Sequence, residues 1–379
     1  MSAEPVAAAP VAEPSEKKVE PVAEAPKAEP TATTNEEKKV EEATAAVAAA
    51  PVPATESSTE KDLEKTEPSE KKVEEATAAV AAAPLPASNG PSDATATALS
   101  GEPAWPETPA DHPLAKFFEE FEELVKQAEY DEVYGIKLSK SEEFKTKLIL
   151  QKFLRANAND LVKAKEQLLD TLKFRKEFKP LDAVNEKFEK ERFEGLGFIT
   201  EVEDVPESVN KKDIVTFNIY GAVKDNKKTF GDLDGFLRWR VALMERSVHR
   251  LNLSSATKPI PNYNEGPDPY QGFQVHDYLQ VSFLRQDPAV KAATKKTVET
   301  LGRFYPETLS RKFFVNVPVV MQWVYTAVKL FVAKETQKKF VVVSYGNQLA
   351  AELGSGLPKE YGGTKRELKG VGETLGSTE

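Results

Sequence analysis

Aromatic residues are confined to one part of this chain, and their distribution decides where a folded core can form. All 33 Trp, Tyr and Phe residues lie at or after Trp105, in a chain of 379 residues. The first 104 residues are mainly Ala, Pro, Glu, Lys, Thr and Val, and such a segment buries too little apolar surface to offset the conformational entropy lost on folding. We therefore expect residues 1–104 to be a disordered tail.

The tail also carries the acidity of the chain and a duplicated segment. It has 20 acidic and 9 basic residues, whereas the rest of the chain is close to neutral. Residues 38–51 recur unchanged as residues 71–84. Solenoid repeats stack large apolar side chains that these copies lack, so two copies of a low-complexity unit are the better interpretation. A scaffold role for the tail is the least favoured alternative, because the tail has no aromatic anchors.

The composition excludes several classes of site. The chain has no cysteine, which removes disulfides, zinc–thiolate sites and iron–sulfur clusters together. It has three histidines, His112, His249 and His276, but no serine stands in the sequence context of a nucleophile elbow. No P-loop or dinucleotide-binding glycine pattern is present. Short lysine pairs on a near-neutral domain do not favour nucleic-acid binding. We therefore expect a protein that is not an enzyme and binds no nucleic acid.

Hydrophobic periodicity predicts two folded parts after the tail. Helical spacing of apolar residues predicts a small all-helical domain over residues 105–190. Residues 191–379 then alternate strands with helices, which predicts an α/β domain with a largely parallel or mixed sheet. The predicted strands are 197–202, 214–220, 273–278, 313–317 and 340–344, and the main helices between them are 232–251 and 288–305. The proline-rich insertion 254–270 is predicted to be an exposed loop, and the sequence indicates no function for it.

His276 and Tyr278 stand two positions apart in a predicted strand, so both rings should lie on one face of the sheet. A tyrosine oxygen can be the axial ligand of ferric haem, and a neighbouring histidine can hydrogen-bond to it. Packing is the commoner role for such a pair. Residues alone leave both interpretations open, with packing favoured.

The segment 318–332 is apolar on nearly every side of a predicted helix that begins at Pro318. It is too short to cross a bilayer, and no run of about eighteen apolar residues or leader-like segment is present. The helix is either buried in a large core or is a mobile lid that meets lipid when open, and hydrophobicity favours neither. We expect a soluble protein whose membrane contact is transient and peripheral.

Several motifs resemble the CRAL-TRIO lipid-binding family. They are Phe-Tyr-Pro-Glu at 304–307, Phe-Phe-Val-Asn-Val-Pro at 313–318, Lys-Lys-Phe at 338–340 and Leu-Pro-Lys-Glu-Tyr-Gly-Gly at 357–363. Upstream, residues 150–157 resemble the small helical domain that precedes the lipid-binding domain in this family. Segments 130–135, 274–278 and 316–318 are most similar to a fungal, Sec-fourteen-like branch of phosphatidylinositol transfer proteins.

The resemblance implies that a sheet floors an apolar ligand pocket and that the helix from Pro318 is its gate. It implies phosphatidylinositol binding and transfer between membranes, with a contribution to phosphoinositide homeostasis. Glu307 and Lys339 match the residues that hold the lipid headgroup, and Arg155 is a looser candidate. Lysine and arginine can meet a phosphate, and a carboxylate can accept hydrogen bonds from inositol hydroxyls. The implied location is the cytoplasm, with peripheral association to endoplasmic reticulum or microsomal membranes.

The same branch implies a second ligand, haem b, in the pocket. Tyr278 matches the axial ligand of the haem iron, and the other matching pocket residues are Tyr220, Arg240, His276 and Lys312. One departure is Asn157, which stands where some relatives have a pocket tyrosine. The alternative function is a dedicated haem-binding protein, acting as a sensor, a scavenger or in oxidant stress, with little lipid transfer.

Overall fold

The computed structural model describes residues 103–281, 287–319 and 338–378. The predicted tail lies outside these residues except for its last two positions, and so do residues 320–332 of the predicted apolar helix. The predictions of a disordered tail and of a gate helix therefore concern parts of the chain that are not described.

The described part begins with a helical region. Its main helices are α1 (Pro113–Ala128), α2 (Glu143–Ala156) and α3 (Leu161–Phe178), and a short antiparallel hairpin, β1 (Glu132–Val133) and β2 (Ile136–Lys137), lies between α1 and α2. Asp160 caps α3, because its carboxylate accepts the N–H groups of Val162 and Lys163. The three helices share a buried core whose fully covered members include Phe117, Phe121, Leu148, Leu150, Phe153 and Leu168. The prediction of a helical region is confirmed.

A five-stranded sheet follows, and its strands lie in chain order. They are β3 (Gly197–Glu203), β4 (Lys212–Ile219), β5 (Gly272–Asp277), β6 (Leu309–Val315) and β7 (Phe340–Val343). β3 pairs with β4 antiparallel, and the other three neighbouring pairs are parallel. The predicted mixed sheet is therefore confirmed. β6 begins four residues before the predicted position, because Ser310, Arg311 and Lys312 near its start are polar and give no apolar signal.

Helices connect and cover the strands. They are α4 (Pro180–Ala183), α5 (Lys190–Phe193), α6 (Asn226–Phe230), α7 (Leu233–Arg250), α8 (Pro288–Phe304), α9 (Ala350–Leu353) and α10 (Leu368–Val371). Asp287 caps α8 and Pro288 is its first residue, as predicted. No helix in the described ranges is long and apolar enough to cross a membrane.

The two faces of the sheet differ in chemistry. One face is an apolar core that joins the strands to the C-terminal segment; its members include Val215, Phe217, Val275, Phe313, Val315, Leu353, Leu357 and Tyr361. The opposite face carries polar residues on neighbouring strands: Thr216, Asn218, Gln274, His276 and Lys312. Burying polar groups is unfavourable unless they find partners, so this polar face is a candidate location for a ligand site.

Candidate functional site

An aromatic cluster occupies the carboxyl ends of β4 and β5. Tyr220 directly follows β4, His276 is in β5, and Tyr278 directly follows β5. The Tyr220 hydroxyl lies 3.1 Å from Nδ1 of His276, and its ring centroid lies 5.2 Å from that of Tyr278. Phe314 of β6 contacts both the His276 and Tyr278 rings. The structure therefore brings the predicted His276 and Tyr278 together with Tyr220.

Two cationic side chains face the same cluster. Arg240, from α7, is 2% exposed, and its Nη2 lies 3.5 Å from Oε1 of Gln274. Its Nε and Nη1 make no hydrogen bond. Lys312, from β6, lies opposite Gln274 in the sheet register, and its Nζ lies 5.9 Å from the centroid of the Phe340 ring. We call Tyr220, Arg240, His276, Tyr278 and Lys312 the Tyr278 cluster.

The charges in the Tyr278 cluster act on one another. Burial, together with the charge of Arg240, lowers the pKa of Lys312 to about 8. Burial, with the charges of Lys312 and Arg240, lowers the pKa of His276 well below its usual value, so the imidazole is neutral near pH 7. Neither cation forms an ion pair with an acid in the described part of the chain, and two nitrogen atoms of Arg240 are buried without a hydrogen bond.

A second polar site surrounds Glu307, just before the amino end of β6. Its carboxylate lies between two cations: Nε of Arg155 is 3.4 Å from Oε2, and Nζ of Lys339 is 3.3 Å from Oε1. Arg155 comes from the last turn of α2, and Lys339 directly precedes β7. The structure therefore brings together all three predicted headgroup residues, which we call the Glu307 site.

Sequence reasoning missed two residues that contact Glu307. Gln271 donates a hydrogen bond from Nε2 to Oε2 of Glu307 at 2.7 Å, and Nζ of Lys152 donates to the Glu307 carbonyl at 2.8 Å. Gln271 stands at the end of a loop with no motif around it. Lys152 is one lysine among many on an amphipathic helix, where a lysine ordinarily indicates a solvated face. Neither was assigned a role from the sequence, although Lys152 lies in the segment 150–157 that resembles the helical domain of the family.

The insertion 254–270 is not simply the exposed loop predicted from its prolines. Its Ile260 and Asp268 are buried. Two of its carbonyls, those of Pro261 and Asn262, each accept a hydrogen bond from Nη1 of Arg155 at 2.8 Å. The insertion is a loop, as predicted, but it is only partly exposed, because Ile260 is buried and backbone carbonyls bind Arg155, which composition does not show.

Asn157 lies in the helical region. Its Nδ2 donates to the carbonyl of Phe153 at 2.8 Å and to Oε1 of Gln167 at 2.7 Å, so its amide links α2 to α3. These bonds do not join it to the Tyr278 cluster.

The two sites lie towards opposite ends of the parallel strands of the sheet. The Glu307 site is at the amino ends of β6 and β7, and Tyr278 is at the carboxyl end of β5. Gln271, which contacts Glu307, precedes Tyr278 by seven positions, which corresponds to about 23 Å along an extended strand. Lys312 of the Tyr278 cluster lies between these ends, because it is opposite Gln274 and Phe340 in the sheet register.

A buried ion cluster fixes the helical region against α7. Nη2 of Arg175, in α3, lies 2.7 Å from a carboxylate oxygen of Glu132 and 2.7 Å from one of Glu245, and Arg175 and Glu245 are fully buried. The Tyr305 hydroxyl donates to Glu245 at 2.7 Å. Burial alone would raise the pKa of Glu245, but the charge of Arg175 and hydrogen bonds from His249, Arg175 and Tyr305 lower it to about 2.

Comparisons with known proteins agree with this architecture. The CRAL/TRIO domain family matches residues 214–363, and the CRAL/TRIO N-terminal domain family matches residues 113–170.

Among curated relatives, the phosphatidylinositol transfer protein SFH5 of Phaeosphaeria nodorum is 71% identical over 273 residues, covering 72% of this chain and 82% of that protein. The phosphatidylinositol transfer protein sfh5 of Sclerotinia sclerotiorum is 52% identical over 262 residues, covering 68% of this chain and 62% of that protein. A crystal structure of Sfh5 superposes with a TM-score of 0.58 at 31% identity, covering 69% of this chain and 90% of the other. The resemblance inferred from the motifs is confirmed, and this chain belongs to the CRAL/TRIO family.

Proposed function

We propose that this protein binds phosphatidylinositol and transfers it between membranes, and so contributes to phosphoinositide homeostasis. The observation that carries the proposal is the Glu307 site, where a carboxylate lies between the cations of Arg155 and Lys339 at the edge of the sheet. Relatives that share most of the folded part of this chain bear the name phosphatidylinositol transfer protein, which supports the same function.

The residues of the site suit the two kinds of group in an inositol phospholipid. The Lys339 side chain is 30% exposed, so its ammonium can approach a phosphodiester oxygen. The Glu307 carboxylate, an acceptor only, suits inositol hydroxyls, which are donors. Arg155 differs from Lys339, because loop carbonyls already hold three of its hydrogen bonds. We infer that Arg155 orients Glu307 while Lys339 meets the phosphate.

Such a carrier makes and breaks no covalent bond, and we propose that this chain is not an enzyme. The carrier only binds a lipid molecule at one membrane and releases it at another. We propose a cytoplasmic location with transient contact at endoplasmic reticulum membranes, which membrane flotation of cell extracts would test.

The test is transfer of labelled phosphatidylinositol from donor to acceptor vesicles. We expect the wild-type protein to accelerate exchange and the Glu307→Gln and Lys339→Met variants to slow it about tenfold, the loss expected from one charge-assisted hydrogen bond. Lys359→Met is the matched control, because Lys359 pairs with Glu367 on the exposed surface. No acceleration by the wild-type protein would refute the proposal.

A second proposed ligand, haem b, is favoured by the Tyr278 cluster. Tyr278 would be the iron ligand, with Tyr220 and His276 beside it. The residues fit the group, because Arg240 has two buried nitrogen atoms without hydrogen bonds and Lys312 forms no ion pair with the described acids, so both can receive propionates. When bound, haem supplies a ferric centre. The neutral His276 can then orient a phenol oxygen without repelling the metal.

An absorbance spectrum of protein from haem-sufficient cells tests this second ligand. We expect a Soret band that is lost or shifted in Tyr278→Phe and unchanged in Tyr345→Phe, whose ring is 61% exposed. If no Soret band appeared after addition of hemin, haem binding would be refuted and packing would be the role of His276 and Tyr278. A Soret band in protein that carries little lipid and transfers none would instead favour a dedicated haem-binding protein.

A further inference from the structure

Lys152 is a charged residue placed where a charge is costly. Its side chain is fully buried in α2. The ammonium has three donors. Each finds an acceptor: Oδ2 of Asp268 at 2.7 Å, the carbonyl of Tyr270 at 2.8 Å and the carbonyl of Glu307 at 2.8 Å. Three bonds in three directions leave the ammonium a single position.

Asp268 is equally buried and has two tasks. One carboxylate oxygen neutralises Lys152, and the other accepts the N–H of Tyr270 at 2.8 Å. The second bond shapes the end of the loop, directly before Gln271, which donates to the Glu307 carboxylate. The pair therefore acts on Glu307 from two sides, through its carbonyl and through the loop residue that contacts its side chain.

The backbone of Glu307 needs such support. Its φ is 51°, in the left-handed region that side chains with a Cβ rarely adopt. Strained residues persist where their surroundings fix them in several ways. Here the Lys152 ammonium holds the carbonyl, and the Thr308 hydroxyl closes the turn by donating to the Tyr305 carbonyl at 2.8 Å. The direction of the Glu307 side chain follows from this backbone conformation.

We propose that Lys152 and Asp268 are a buried positioning pair that fixes the Glu307 carboxylate for selecting inositol over other anionic headgroups. The inference rests on the proposed lipid function. Neither residue has to touch the lipid, because Glu307 and Lys339 make those contacts. Loss of the pair leaves the charges of the Glu307 site unchanged but frees the carboxylate, so anionic lipids remain bound while the preference for inositol falls.

The test is a double variant, Lys152→Met with Asp268→Asn. Removing both charges avoids an unpaired buried ion, which would destabilise the fold and obscure the result. Asparagine keeps an oxygen for the Tyr270 N–H. Wild-type and variant proteins are incubated with vesicles containing equal amounts of phosphatidylinositol and phosphatidylglycerol, and the extracted lipids are measured by mass spectrometry. We expect the loading ratio of the two lipids to fall about tenfold in the variant.

The ratio separates positioning from general damage, because a partly unfolded protein loads less of both lipids. Arg246→Met with Glu373→Gln removes an ion pair at the other side of the molecule and should leave the ratio unchanged. Lys152→Arg is a milder variant that keeps the charge but not the three-way geometry, and it should lower the ratio in the same direction.

An unchanged ratio in either Lys152 variant, with normal loading by the wild-type protein, would overturn the positioning role alone. A wild-type protein that loads no phosphatidylinositol would overturn the proposed function and the pair's role with it.

Discussion

Glu245→Gln should destabilise the fold by an amount that depends on pH in a specific way. The pKa of Glu245 is lowered from its usual 4.5 to about 2 in the folded protein. A group whose folded pKa is depressed contributes stability above its unfolded pKa and loses it as the pH falls towards the folded one. The difference between the two values corresponds to about 3 kcal/mol at pH 7, at about 1.4 kcal/mol for each pKa unit.

The contribution should disappear in the window between pH 4.5 and pH 2. The difference in unfolding free energy between the wild-type protein and Glu245→Gln is then about 3 kcal/mol at pH 7 and about 1 kcal/mol at pH 3. Because both proteins contain all the other carboxylates, the contributions of those carboxylates to the unfolding free energy cancel in this difference. Glutamine keeps an oxygen that can accept from Arg175 and Tyr305, so the change removes charge while preserving shape.

Urea unfolding followed by tryptophan fluorescence at both pH values gives the two differences. Glu119→Gln is the control, because Glu119 forms an ion pair with Lys140 while remaining 77% exposed, and its effect should be within error at either pH. A Glu245→Gln protein as stable as the wild type at pH 7, or destabilised equally at pH 3, would refute the view that Arg175 stabilises the ionised carboxylate.

Three further predictions concern other parts of the molecule. Gly221→Ala should destabilise by about 3 kcal/mol or more, because an added Cβ would lie 1.6 Å from the Leu279 carbonyl oxygen; urea unfolding measures this. Gly302→Ala, inside α8 with nothing within 4 Å of the new Cβ, should instead stabilise by about 0.5–1 kcal/mol in the same assay. Lys312 should lose its proton with a midpoint near pH 8, so competitive acetylation followed by mass spectrometry should label it at lower pH than exposed lysines, and a midpoint near 10.5 would contradict its desolvation.

The elements that the sequence predicts well are those with a strong periodic signal and a clear end. The helix from Pro288 was placed within a residue, because Asp287 and Pro288 mark its start and its apolar stripe marks its length. β5 was predicted within one residue at each end, because its buried run is bounded by a loop. β6 was shortened, because Ser310 to Lys312 are polar on both faces.

The residues of the candidate sites were partly predictable from sequence motifs and not from periodicity. Glu307 and Lys339 were found through motifs, and only the fold shows that Arg155 reaches Glu307 from α2. Lys152 and Gln271 were missed because their roles depend on contacts across more than thirty positions, which no local pattern encodes.

The positions of the Glu307 site residues along the chain also determine when the site can form during synthesis and folding. Arg155 and Glu307 are 152 positions apart, and Lys339 comes a further 32 positions along the chain. Contacts this distant form late in folding, after the intervening chain has been ordered. During synthesis, the site therefore stays incomplete until Lys339 has left the ribosome and β7 has paired with β6. A chain cut before that strand would lack the cation that Lys339 brings to the Glu307 carboxylate.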